Sequence, residues 1–73
     1  MAVRKRSRKR DAIYACVCAT KTHPTAEWVY GQLKPSIPDL SLGTVYRNLA
    51  MFKQEGKIVS VGTVDGMERF DAN

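Results

Sequence analysis

The segment SLGTVYRNLAMFKQEG, residues 41–56, is the decisive one for predicting the architecture of this chain. Ser41 is a residue type that caps helix N-termini, and Gly56 readily adopts the left-handed conformation in which many helices end. Between these two positions, apolar side chains recur at the helical period and fall on one side: Leu42, Val45, Leu49 and Phe52. The stretch therefore predicts an amphipathic helix with one buried face.

The opposite face of this helix has the composition of a base-reading surface. It carries small, polar and cationic side chains at Gly43, Thr44, Arg47, Asn48 and Met51. Arginine can donate two parallel hydrogen bonds to guanine in the major groove of DNA, and asparagine can form a similar pair with adenine. Solvated helix faces have a similar composition, so this pattern alone leaves both interpretations open.

The charge of the chain is concentrated at its N-terminus. The chain has 73 residues and a net charge of +5, and half of its twelve lysines and arginines lie in residues 1–10, which contain no acidic residue. A cationic segment on a nearly neutral body favours a polyanionic partner, with nucleic acid as the first candidate. We divide the chain into a basic arm, residues 1–6, and one small domain, residues 7–73.

Two shorter helices are predicted before the decisive one. The first is capped by Ser7 and runs to about Thr20, and the second begins at or just after Pro24. Pro35 and Pro38 then enclose a turn that leads into the decisive helix. A short helix, a tight turn and a longer helix with a polar face form a helix-turn-helix.

Three cations occupy the first turn of the first predicted helix, Arg8, Lys9 and Arg10. Positive charges at a helix N-terminus oppose the helix macrodipole, so stability alone does not explain them. Contacts to phosphate groups would explain them.

The two cysteines of the chain, Cys16 and Cys18, are two residues apart and cannot share a metal as a Cys-x-x-Cys pair does. We predict that both are small buried hydrophobic residues in a reducing compartment, the cytoplasm. The short apolar run that contains them is also compatible with a secretory signal, but its removal would delete the first helix. No stretch approaches the ~20 apolar residues of a membrane span.

The period of the apolar pattern changes from 3.6 to 2 after residue 56, and Asp65-Gly66 has the sequence of a two-residue hairpin turn. Counting outward predicts three cross-strand pairs, Val64 with Met67, Val61 with Phe70, and Val59 with Ala72. This register places Val59, Val61 and Phe70 on the face that packs on the helices. The predicted fold class is mostly α with a small β-hairpin: a winged helix-turn-helix of three helices plus a two-stranded wing.

Several motifs in this order resemble a known family. They are His23-Pro24-Thr25-Ala26-Glu27, then SLGTVYRNL at residues 41–49, then Gly66 and Arg69-Phe70-Asp71. Together they closely resemble the N-terminal DNA-binding domain of the ferric uptake regulator family, over nearly all of the chain from Ser7 onward. Asp71 is more similar to the peroxide-sensing branch, since the iron-uptake branch more often has glutamate at this place.

The resemblance implies a metal-dependent, homodimeric transcriptional repressor that binds an AT-rich inverted repeat in double-stranded DNA. It also implies that His23 and Asp71 are two ligands of a regulatory Fe²⁺ or Mn²⁺ site. The other ligands, a structural Zn²⁺ site and the dimerisation surface would lie in a C-terminal domain that this chain lacks. Two ligands leave an octahedral ion mostly hydrated, so we expect no tightly held metal in this chain.

The resemblance also implies roles in DNA binding for particular residues. Tyr46 would place its ring against a thymine methyl group, and Arg47 would bind guanine or a phosphate. Tyr46 lies at the edge of the apolar face, so a core or interface position is the competing interpretation. Lys5, with Arg6 beside it, would reach the minor groove. The complete predicted DNA-binding set is Lys5, Arg6, Arg8, Arg10, Ser41, Thr44, Tyr46, Arg47 and Asn48.

Two other function classes compete with this interpretation. A winged helix can serve as a protein-interaction module, in which case the basic arm would act in localisation. An enzyme finds little support, because the chain has a single histidine, no paired carboxylates at useful spacing and no phosphate-binding glycine loop.

Overall fold

The computed structural model describes residues 8–20 and 22–72. Three helices, α1 (Arg8–Ala19), α2 (Ala26–Leu33) and α3 (Leu42–Gln54), precede two strands, β1 (Val59–Val64) and β2 (Met67–Asp71). The strands pair antiparallel as a hairpin. The order and type of these elements are those that the sequence predicts. The basic arm and the capping role of Ser7 lie outside the described residues.

Side chains and turns fix the ends of α2 and α3. The N–H of Trp28 donates to the hydroxyl of Thr25 at 3.1 Å, and the N–H of Thr44 donates to the hydroxyl of Ser41 at the same distance. Both caps satisfy N–H groups that have no partner within the helix. Gly56 ends the α3 segment with φ at 78°, as predicted from its residue type.

The core lies where the three helices meet the hairpin. Each helix contributes the side chains of its apolar stripe, and two more side chains come from the turn between α2 and α3. The core residues are Ile13, Val17, Ala26, Val29, Ile37, Leu40, Val45, Leu49, Phe52, Ile58 and Phe70. Burying each large side chain contributes about 1.5–3 kcal/mol before conformational entropy is subtracted. This packing holds α3 with its opposite face toward solvent.

The hairpin departs from the predicted register. The pair of Val64 and Met67 is confirmed, but a β-bulge between Ser60 and Gly62 shifts the strands, and Ser60 rather than Val61 lies opposite Phe70. The extra residue bends β1 and exchanges the faces of the strand beyond it. Gly62 allows this bend, because its φ of 126° is unfavourable for other residues.

The bulge also corrects the predicted inner face. Val59 pairs with Asp71 and not with Ala72, and it is 43% exposed, while Val61 is 46% exposed. Of the three residues predicted to pack on the helices, only Phe70 is buried. Ile58, just before β1, fills the place that the valines were expected to take.

The prediction of two buried cysteines is wrong for Cys18, which is exposed, whereas Cys16 is half-buried. The buried stripe of α1 runs through Ile13 and Val17, and Cys18 points away from it because the helix turns by about a quarter between neighbouring residues. Burial raises the pKa of the Cys16 thiol. Among the helices that the structure describes, none is long and apolar enough to cross a membrane.

Candidate nucleic-acid interface

The N-terminal half of α3 presents most of the predicted DNA-binding residues together. Ser41, Tyr46 and Arg47 are exposed, and Thr44 and Asn48 are half-buried. They fall within the first two turns of one helix, opposite its buried stripe of Val45 and Leu49. Gly43 adds open space to this surface, since a Cβ there would meet no atom within 4 Å. The surface is therefore open enough to enter a groove of DNA.

Ser41 and Thr44 form the start of this surface. Besides the cap, their hydroxyl oxygens lie 2.8 Å apart, within hydrogen-bonding distance. Ser41 thus has a structural role that requires no DNA, in addition to its predicted contact. The positive end of the α3 dipole lies at the same place, which favours a phosphate nearby.

Arg47 is exposed, and within residues 8–20 and 22–72 its side chain forms no hydrogen bond or ion pair. Its guanidinium therefore offers all five of its N–H donors to a ligand. Asn48 differs, because its side-chain amide already donates to the carbonyl oxygen of Thr44 at 2.8 Å. A two-bond contact from Asn48 to adenine requires release of that bond, whereas Arg47 needs no such change.

Tyr46 lies on the surface and not in the core, with 46% of its area exposed. Its hydroxyl donates a hydrogen bond to the carboxylate of Glu27 in the first turn of α2. This hydrogen bond is the main reason that the pKa of Tyr46 is raised. Sequence reasoning missed the role of Glu27, because no local pattern relates two residues that lie 19 positions apart.

The cations of α1 have different surroundings. Arg8 is exposed. Arg10 donates from Nη2 to Glu55 at 3.2 Å, and its guanidinium lies 5.3 Å from the ring centre of Phe52. These contacts hold Arg10 against the C-terminal end of α3, away from the base-reading half. Lys5 and Arg6 lie outside the described residues.

The two predicted metal ligands lie on neighbouring segments of backbone. The N–H of Phe70 donates to the carbonyl oxygen of Pro24 at 3.0 Å, and Thr25 forms an antiparallel bridge with Arg69. The fold therefore brings together the backbone segments that carry His23 and Asp71, which are distant in the sequence.

His23 itself has a φ of 54°, which is uncommon for a residue with a side chain. Arg69 supports this conformation, since its Nη1 donates to the carbonyl oxygen of His23 at 3.2 Å. Among the described residues, no group of three or more histidine, cysteine, aspartate or glutamate side chains could hold a metal ion.

Comparison with known proteins connects these features to one family. The model of the ferric uptake regulator family matches residues 2–73. The chain is 38% identical over 65 residues to the peroxide-responsive repressor PerR of Staphylococcus aureus, a match that covers 89% of this chain and 44% of that protein. The chain thus spans less than half the length of the curated relatives that it matches.

Solved structures agree with this match. PerR from Streptococcus pyogenes superposes with a TM-score of 0.86 at 30% identity, over 93% of this chain and 47% of that one. A manganese uptake regulator superposes with a TM-score of 0.85 at 25% identity, over 94% of this chain and 51% of that one. The predicted winged-helix fold is thereby confirmed.

Proposed function

This chain belongs to the ferric uptake regulator family, and from that premise we propose that it is the N-terminal, sequence-specific DNA-binding domain of a metal-dependent transcriptional repressor. The observation that carries the proposal is the open N-terminal half of α3, with the exposed guanidinium of Arg47 at its centre. We propose a peroxide- or iron-responsive repressor, on the basis of Asp71 and the identity to PerR. Such a protein acts in the cytoplasm.

DNA binding follows from the placement of α3. In the proposed complex, α3 lies in the major groove, where Arg47 binds a guanine edge or a phosphate and Tyr46 contacts a thymine methyl group. Ser41, Thr44 and Asn48 contact the bases or backbone beside them. The cations Lys5, Arg6 and Arg8 bind the phosphate backbone or the minor groove. A phosphate contact by Arg10 requires it to share or exchange its bond to Glu55.

We propose His23 and Asp71 as two ligands of a regulatory Fe²⁺ or Mn²⁺ ion. An imidazole and a carboxylate suit either ion, and the backbone contact between the segments that carry them supports the pairing. When bound, the ion would tie the segment before α2 to the end of β2. The remaining ligands, the structural Zn²⁺ site and the homodimer contacts belong to the part of the relatives' length that this chain does not span.

Selection from random duplexes and a salt titration test the proposed function. The chain is immobilised at high density, so that neighbouring copies can occupy both halves of an inverted repeat, and bound duplexes are sequenced. We expect AT-rich inverted repeats. We also expect the binding constant to fall on added salt, with a slope of about −0.9 in log K against log salt for each phosphate contact.

A second candidate function is a protein-interaction module, and one observation favours it. The hairpin exposes four large apolar side chains, Val59, Val61, Val64 and Met67, which are 38–49% accessible. Exposed apolar clusters often mark protein contacts. A docking module would select no common sequence and would have a shallow salt dependence, so the same experiment distinguishes the two functions.

A further inference from the structure

A hydrogen bond on the surface joins the two helices of the helix-turn-helix. Glu27 lies in the first turn of α2, Tyr46 lies in the exposed half of α3, and the tyrosine hydroxyl donates to the carboxylate. Both side chains are exposed, so the bond is not required to satisfy a buried group. It nevertheless fixes the ring of a residue in the proposed base-reading surface.

We propose that Glu27 is a positioning residue for base recognition, which holds the Tyr46 ring so that Tyr46 reads a thymine methyl group through the ring and not through its hydroxyl. This inference rests on the proposed function and identifies the residue that sets the specificity of DNA binding at one base position. A tyrosine hydroxyl can donate one hydrogen bond, and here the carboxylate of Glu27 accepts it. The exposed ring remains available for apolar contact.

The charge of Glu27 supports a role in orientation. A carboxylate beside a DNA-binding surface repels phosphates and lowers affinity for every sequence. Hydrogen bonds to charged acceptors are stronger than neutral ones, so the same carboxylate restrains the ring firmly. Glu27 thus lowers the affinity for every DNA sequence and increases the selectivity between bases.

Glu27 also lies where a negative charge favours the helix dipole of α2. This contribution depends on the charge and not on the contact with Tyr46. Glu27→Gln and Glu27→Ala both remove the charge, but only glutamine keeps an oxygen that can accept a hydrogen bond from the tyrosine hydroxyl. Comparison of these two variants therefore separates positioning of the ring from stability of the helix.

The test uses the chain immobilised at high density, as in the selection, and selected duplexes in which each thymine is replaced singly by deoxyuridine, which lacks the methyl group. At one thymine per half-site, we expect the wild type to bind the deoxyuridine duplex about fourfold more weakly, as removal of one buried methyl group predicts. Tyr46→Ala should abolish this difference. Glu27→Ala should reduce it to less than about twofold without weakening binding to unselected duplex, and Glu27→Gln should retain most of it.

Three further variants complete the test. Tyr46→Phe keeps the ring and loses the hydroxyl, so it should behave like Glu27→Ala. The double variant that combines these two changes should lose no more of the methyl dependence than either single variant. Glu68→Gln is the matched control, because Glu68 bonds to Lys53 and lies away from Tyr46; it should leave the methyl dependence unchanged. Circular dichroism shows whether each variant is folded.

The outcomes separate this inference from the proposed function. If the wild-type chain selects no common sequence, the proposed function fails. If it selects one but Glu27→Ala keeps the full methyl dependence, or if no thymine methyl group matters, Glu27 does not position Tyr46. Equal losses in Glu27→Gln and Glu27→Ala would assign the effect to charge and would also overturn the inference.

Discussion

Arg47 and Arg10 are the same residue type in two different environments. Arg10 is held by Glu55 and by the ring of Phe52, so its guanidinium links α1 to α3. Arg47 has no such partner in the described part of the chain, and its full set of donors faces solvent. Arg47 makes no internal contact that a ligand would have to break, which supports its proposed role in base recognition.

At the residue scale, we predict that Arg47→Ala weakens binding to the selected duplex by about 1–3 kcal/mol and relaxes the preference at one base position. Arg47→Lys should restore only part of the affinity if the contact is bidentate, because lysine lacks the planar fork of donors. Binding to base-substituted duplexes measures both effects. Lys57→Ala, which removes a cation beyond the end of α3, is the control and should change no base preference. Full rescue by lysine would show that Arg47 contacts only phosphate.

At the scale of elements, α3 contains one glycine in its exposed half and is followed by another that has a special conformation. We predict that Gly43→Ala stabilises the fold by about 0.5–1 kcal/mol, since the new methyl group meets no atom and alanine favours a helix. The same methyl group would obstruct a groove, so DNA affinity should fall. Urea denaturation and DNA titration of one sample measure the two effects.

The matched variant is Gly56→Ala. It should destabilise the fold by about 1–2 kcal/mol, because φ at this position is 78°. It should leave the DNA affinity of the folded fraction unchanged, since Gly56 lies beyond the C-terminal end of α3. Unchanged DNA affinity in Gly43→Ala would mean that the first turns of α3 do not approach DNA closely.

The contact between α3 and β2 has a predictable pH dependence. Hydrogen bonds from Lys53 and then Ser60 lower the pKa of Glu68. A carboxyl with a lowered pKa in the folded state stabilises the fold above its unfolded pKa of about 4.3, and this contribution is lost as the pH falls through the folded value. Because both side chains are more than a third exposed, the ion pair contributes no more than about 1 kcal/mol.

We therefore predict that Glu68→Gln lowers the free energy of unfolding at pH 7 and that this difference vanishes well below pH 4. Urea denaturation at both pH values measures it. A difference of the same size in acid would mean that the ion pair does not cause it.

Local sequence signals predicted the helices and strands, but contacts between residues that are distant in the sequence could not be predicted. The cap at Ser41 and the turn at Asp65 each depend on a few neighbouring residues, so the sequence contains them directly. The bulge at Val61 does not follow from periodicity, because the apolar pattern on each side of an extra residue is still compatible with a strand. The bond from Tyr46 to Glu27 depends on how two helices pack.

The candidate site was predictable to a similar extent. The exposed face of α3 follows from its apolar stripe, so the placement of Thr44, Arg47 and Asn48 on it could be predicted from periodicity. The contact between the segments that carry His23 and Asp71 could not, since it depends on the pairing of Thr25 with Arg69, and only the family resemblance related these two residues. The division into an arm and a domain stays a prediction.

At the scale of the whole molecule, the uneven charge predicts how the chain binds DNA. Deletion of residues 1–6 should flatten the slope of log K against log salt by about 0.9 for each phosphate that the arm no longer binds. The fold should be retained, because every core residue lies between positions 13 and 70. Circular dichroism and salt titrations of both chains measure these effects. An unchanged slope would show that the arm does not touch DNA.

The chain in solution should also bind DNA weakly and with little selectivity when it is monomeric. A single module reads one half-site and forgoes the gain in affinity that two linked modules share. Fluorescence anisotropy on a sample shown to be monomeric by ultracentrifugation measures this. Nanomolar binding to one sequence by that monomer would contradict the prediction.

Amide chemical-shift mapping by NMR shows whether the exposed N-terminal half of α3 is the part of the chain that binds DNA. An isotope-labelled chain is titrated with a selected duplex, with Arg47→Ala as the comparison. We expect that the largest shift changes fall on residues 41–48, spare the exposed valines of β1, and decrease in Arg47→Ala. Changes centred on Val59 and Val64, or a pattern that Arg47→Ala leaves unaltered, would contradict it.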